Sequence, residues 1–285
     1  MVSAALSGLT RVRVTVSYAI VLAAVTTALL HLDPDVQDRV IQHASTNLHN
    51  LSRGHIGTLL GSAFVVDAGP VIYWLPGLVC LLGLGELLWR SGRLLVAFAV
   101  GHVGATLLVA IGLTAAVTTG WLPASVTRAT DVGMSYGATA VLGAVTPAIP
   151  SQWRATWIGW WLAVGAAEVA VGTDFTDVGH LVALILGMAV ATRFGTPRRW
   201  TWPLVLLLAV ASSFGFLVLA GTEGTLAFSA ACGLAGGLLG TVATLLVALR
   251  QMSDVDEVCP QTDSMQSERH ASGASSRSSP GISRS

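Results

Sequence analysis

The sequence predicts an all-helical polytopic membrane protein, and three observations carry that reading. Apolar residues make up 53% of the 285 and charged residues only 11%, with a mean hydropathy of +0.71, where a soluble domain carries roughly 25% charged residues. Eight apolar runs recur along the chain, most near the ~20 residues that cross a bilayer as a helix. The basic residues are not scattered evenly between the loops that join those runs. All 15 are arginine, and they form no run that would suit nucleic acid or a lipid-headgroup patch.

The first run, Val14–Leu30, follows Arg11 and Arg13 as a signal peptide would, but it is long and lacks a small-residue cleavage site, so it reads as a retained anchor. The segment from His31 to Ala68 is a long polar-to-apolar connection. Gly69–Gly85 and Leu94–Val117 form the next two spans, joined by a short turn with Glu86, Arg90 and Arg93. Val132–Ile149 is rich in glycine and alanine, which permit close helix approach. Thr156–Val171 and Val178–Phe194 follow, then Trp202–Ala220 and Leu226–Leu249. Past Arg250 the residues turn to Ser, Asp, Glu, Gln and Arg, and residues 251–285 read as a disordered tail.

Loop arginines stay on the cytoplasmic side. With the N-terminus inside, Arg11, Arg13, Arg90, Arg93, Arg154, Arg193, Arg198, Arg199 and Arg250 are cytoplasmic against Arg39, Arg53 and Arg128 outside, nine to three. Both termini then lie in the cytoplasm, with residues 1–13 as a short cytoplasmic start. Trp121, Trp153, Trp157, Trp160, Trp161, Trp200 and Trp202 fall at span ends, as an interfacial belt requires. Cys80, Cys232 and Cys259 have no ligand spacing and read as free thiols.

Polar groups at membrane depth are expensive and mark candidate chemistry. Ser135, about three residues into the fourth run, and His180, about two residues into the sixth, share a depth near the outer surface. An imidazole within hydrogen-bond reach activates a serine hydroxyl, so the two form a candidate catalytic pair. Gly133-x-x-x-Gly137 equally suits plain helix packing, with Ser135 a small residue at the contact. His102, between Gly101 and Gly104, reads as a packing histidine. Glu86 reads as a surface partner of Arg90, Asp131 as a cap for the fourth span, and Asp177 as a cap for the sixth. His43, Asn47, His49, Asn50 and His55 in the outer connection suit loop capping. No set of His and Cys has firm metal spacing, so neither metal nor cofactor is expected.

Gly133-x-Ser135 followed by Ala138 and Gly143, with His180 and Gly187 in the sixth span, resembles the fourth and sixth core helices of rhomboid intramembrane serine proteases. Thr58-Leu59-Leu60-Gly61-Ser62-Ala63-Phe64 and the stretch from Gly85-Glu86 to Gly92 extend the resemblance, which covers Val14 to Phe194 and is closest to a divergent bacterial branch. It implies a six-helix core over residues 14–194 with two added helices over 195–250, and a bacterial plasma-membrane location. It also implies a Ser135/His180 dyad acting on single-span membrane proteins near the outer face. The family usually carries a His and an Asn as oxyanion donors in the second core helix, and Gly69–Gly85 has neither. Where the family commonly has Gly after the nucleophile this chain has Tyr136, and Thr139 stands where an aromatic stacks on the histidine. A catalytically silent protein that binds client transmembrane helices is the rival. A transporter is a weaker third, since no broken helices of inverted repeats are evident.

Overall fold

The computed structural model describes residues 10–66, 71–172, 174–221 and 224–274, for the last stretch beyond residue 251 in backbone only. Its helices are α1 (Arg13–Leu30), α2 (Pro34–Ala44), α3 (Leu48–Ser52), α4 (Thr58–Gly61), α5 (Val71–Thr118), α6 (Ser135–Ala144), α7 (Ser151–Val171), α8 (Phe175–Ala191), α9 (Trp202–Leu219) and α10 (Leu226–Ala274). The expected all-helical membrane bundle is what the chain forms, with a helical segment on every one of the eight apolar runs. The expected start of the second span, at Gly69, lies outside the described residues.

α5 is two spans joined by a break at Arg90, whose φ of 68° and ψ of 162° interrupt an otherwise helical backbone. Only glycine takes that conformation freely, and an L-residue there costs about 1–3 kcal/mol. The first half, 71–89, runs on past Gly85, where the apolar run ends, because Glu86 is buried rather than at a surface. Its carboxylate accepts from the backbone N–H of Val14 (3.1 Å) and Thr15 (2.8 Å), and from the hydroxyls of Thr15 (2.8 Å) and Ser91 (2.6 Å). Glu86 therefore satisfies the free N–H groups at the start of α1 and is not the partner of Arg90 that helical spacing suggests.

α6 is shorter than its apolar run. Helix begins at Ser135, ends at Ala144 and passes through a 3-10 turn, Thr146–Ala148. Every residue from Tyr136 to Ala144 is buried, so this helix touches neighbours on all sides and needs no lipid-facing stripe. Close approach on that scale depends on missing side chains. A Cβ on Gly143 would strike the Leu184 carbonyl of α8, one on Gly187 the Ala140 carbonyl of α6, and one on Gly101 the Ala140 methyl. Without a hydrophobic force between helices in lipid, such short-range packing is what holds them.

The two added helices dock on separate faces. α9 lies on α5 and α6, with Phe214 over Gly77 and Leu142 over Gly215. α10 lies along α7, where Gly236 and Gly159 meet backbone to backbone and Gly240 meets Ala155. Buried Glu168 of α7 accepts from Thr225 Oγ1 (3.2 Å) and from Ser229 Oγ at this contact. Where composition predicts a disordered tail past Arg250, the backbone of α10 stays helical through Ala274. A helix meets its own backbone hydrogen bonds and needs no core to do so.

Trp121, Trp153 and Trp202 are well exposed, as belt residues are, but Trp161 is fully buried. It packs edge-on against Trp157 and Trp160 within the bundle, so sequence position alone overstates the belt.

Gly187→Leu should lower the detergent melting temperature sharply, since overpacking costs about 1–3 kcal/mol or more, while Gly112→Leu, with open space around it, should leave it unchanged. Glu86→Ala should cost about 1–3 kcal/mol for each buried N–H left unpaired. Glu86→Gln keeps an acceptor and should cost less in the same melt.

Candidate active site

The chain enters α6 through a fixed loop. Gly133 has φ +122°, and its N–H donates to the Ser62 carbonyl at 2.9 Å. Two residues earlier, the Asp131 N–H donates to Ser45 Oγ (2.8 Å) and the Asp131 carbonyl accepts from the Thr46 N–H (2.9 Å). The half-buried Asp131 side chain does not cap α6, whose cap position is Met134 with no side-chain bond; the helix starts too late for it. Burial and then the Asp174 carboxylate push the Asp131 carboxyl up to about 6. The outer connection is thus bonded to the loop that delivers Ser135.

His102 underlies that connection. It is buried, stacked on Phe98, with Nε2 3.2 Å from Ser62 Oγ, and Ser62 in turn accepts from Thr46 Oγ1 at 2.8 Å. This is the packing role the sequence suggests, with a hydrogen bond that spacing could not show. The polar groups of the outer connection are likewise spent locally. Asn47 caps α3, Asn50 donates to the carbonyls of Gln42 and Ser45, and His43 Nδ1 sits 2.8 Å from the Arg39 carbonyl. The half-buried His49 has its pKa lowered by desolvation and then by Arg53 and Arg128.

Ser135 is the first residue of α6 rather than the third or fourth, and it is half-buried, its carbonyl accepting from Thr139 Oγ1 at 2.8 Å. His180 stands in the second turn of α8, a helix that starts at Phe175. The cap of α8 is Asp174, which accepts from the Thr176 N–H at 3.0 Å, and not Asp177, because the helix begins three residues earlier than its apolar run. Tyr136 follows Ser135 in the chain. Its ring meets the His180 ring edge-on at a centroid distance of 5.3 Å and fills the space that a Cβ on Gly179 would take. An aromatic thus does contact the histidine, but from position 136 and not from 139. Only the pairing of Tyr136 with a glycine just before His180 hinted at it.

No hydrogen bond joins Ser135 to His180. Both ring nitrogens of His180 and the Tyr136 hydroxyl are enclosed without a partner. A cleft beside this end, lined in part by Asn47, Asp131 and Phe175, holds about 10 Å³, room for roughly one water. The arrangement sets an unpartnered imidazole of α8 edge-on against the residue that follows the half-buried Ser135.

A family model described as rhomboid-like protein matches residues 10–200. No curated protein matches the chain, and no solved structure does. The matched span takes in α1 to α8 whole, including Ser135 and His180. The chain belongs to the rhomboid-like protein family.

Proposed function

We propose that this membrane protein is a rhomboid-like serine peptidase that cleaves single-span membrane proteins near the outer face. Ser135 is the nucleophile: its Oγ attacks the peptide carbonyl while its proton passes to a His180 ring nitrogen. His180 then gives that proton to the departing amine, and a water entering from outside hydrolyses the acyl-enzyme.

The observation that supports this is the unsatisfied imidazole. An enclosed polar group left unpaired costs about 1–3 kcal/mol, and such groups are rare enough in folded proteins to demand a reason. The packing histidine His102 has one ring nitrogen partnered, Nε2 by Ser62, and its Nδ1 bare. His180 has neither partnered, which suits a base kept free for a proton. Catalytic hydrogen bonds are often long or absent until substrate is bound, so the reaction requires His180 to turn toward Ser135.

A second reading has its own observation. Tyr136 packs tightly enough on Gly179 and His180 to favour a catalytically silent protein that binds client transmembrane helices, and the second core helix lacks the expected oxyanion donors.

Reaction of the detergent-purified chain with a fluorophosphonate serine probe separates the two. The peptidase reading expects labelling of the wild type, none of Ser135→Ala, and labelling at least about 100-fold slower in His180→Ala, the usual contribution of a general base. Tyr136→Ala, which removes the ring set against His180, should label faster than wild type. Absence of labelling in both a well-folded wild type and Tyr136→Ala would establish the silent reading.

A further inference from the structure

The end of the bundle opposite Ser135 carries a feature that the peptidase chemistry does not use. Arg11, Arg13, Arg90 and Arg198 line one cleft of about 400 Å³ together with Glu86 and Ser91. All four arginines are exposed, and among the described residues none has an ion pair or a side-chain hydrogen bond. The one carboxylate in the cleft, Glu86, is bonded to the start of α1 and to Ser91 and offsets at most one of the four charges. Among the described residues the cleft therefore keeps a positive excess.

The cleft has a fixed frame. The Arg198 N–H donates to the Leu88 carbonyl at 3.3 Å, which ties the segment after α8 to the end of the first half of α5. Arg90 is held at φ 68°, a conformation that glycine takes at no cost, and strained residues of this kind gather at ligand clamps. Arg13 also lines a second recess, an apolar groove of about 450 Å³ between α1 and α5 formed by Val21, Phe64, Leu82, Leu95 and Phe98 among others. Basic cleft and apolar groove therefore meet at one residue. The arginine distribution assigns this end to the cytoplasm, where anionic lipids concentrate.

We infer that this composite site binds an anionic phospholipid of the cytoplasmic leaflet, its phosphate in the arginine cleft and an acyl chain in the groove between α1 and α5. The guanidiniums supply bidentate donors for phosphate oxygens, and the groove supplies the apolar wall that a free anion would not use. The site stands apart from Ser135 and His180 and does not depend on their activity.

Native mass spectrometry of the full-length chain in detergent, titrated with phosphatidylglycerol or phosphatidylcholine, tests it. Phosphatidylglycerol should bind at least about tenfold tighter, and Arg13→Gln and Arg198→Gln should each weaken it about fivefold with no change for phosphatidylcholine. Leu95→Trp, which fills the groove without touching a charge, should weaken phosphatidylglycerol binding as well, so the test survives if an arginine variant fails to fold. Equal affinity for the two lipids, or unchanged phosphatidylglycerol binding in folded variants, would overturn the inference. Inorganic phosphate raising the melting temperature as much as phosphatidylglycerol does would also overturn it, leaving a site for free anions.

Discussion

Everything at the candidate site hangs on the close contact between α6 and α8. Gly143 lies against the Leu184 carbonyl and Gly187 against the Ala140 carbonyl, so the two backbones approach with no side chain between them. In lipid this contact has no hydrophobic drive behind it and rests on dispersion at short range. It also fixes depth: once Gly187 sits on Ala140, the start of α6 and the second turn of α8 lie side by side, which brings Tyr136 onto His180. Those glycines thus set the relative depth of the two helix starts that carry Ser135 and His180.

The two buried glutamates and Arg154 tie segments of the bundle together in a way that His180 does not. Glu86 has four donors, Glu168 two, and Arg154 donates to the carbonyls of Pro147 and Ile149 where α6 ends. Each of these joins two segments: α1 to α5, α7 to α10, α6 to α7. Their satisfaction is structural, and each one costs little because its partners are fixed by the fold. Among the described residues His180 has neither ring nitrogen partnered, although Thr26 Oγ1, Trp74 Nε1, His102 Nδ1, Arg154 Nε and Trp161 Nε1 are buried without a partner too.

Much of the architecture was legible because the bilayer enforces length and composition together. A helix that meets lipid must be apolar along its whole run, and so α1, both halves of α5, α9 and the first part of α10 stand out as runs near 20 residues. α6 was legible as an apolar run but not in its bounds, since a helix wrapped in protein needs neither a full span nor an amphipathic edge. The same gap explains Glu86. Its spacing to Arg90 fits a surface pair only if the backbone stays helical through Arg90, and the backbone breaks there while the carboxylate bonds the start of α1. Asp174 rather than Asp177 caps α8 because a helix can start in polar residues before its apolar run does. Ser135 and His180 were named from local motifs, whereas Tyr136 on His180 is a contact across helices that no single-helix periodicity encodes.

The two ends of the bundle show how a membrane fold can afford chemistry. At one end the carboxylate of Glu86 is saturated, the start of α1 is sealed and four arginines are left to face outward, so the net field there is positive and open to the aqueous phase. At the other, burial first and then the Asp174 carboxylate push the Asp131 carboxyl up. The arginine-rich end is the one that the arginine rule expects on the cytoplasmic side.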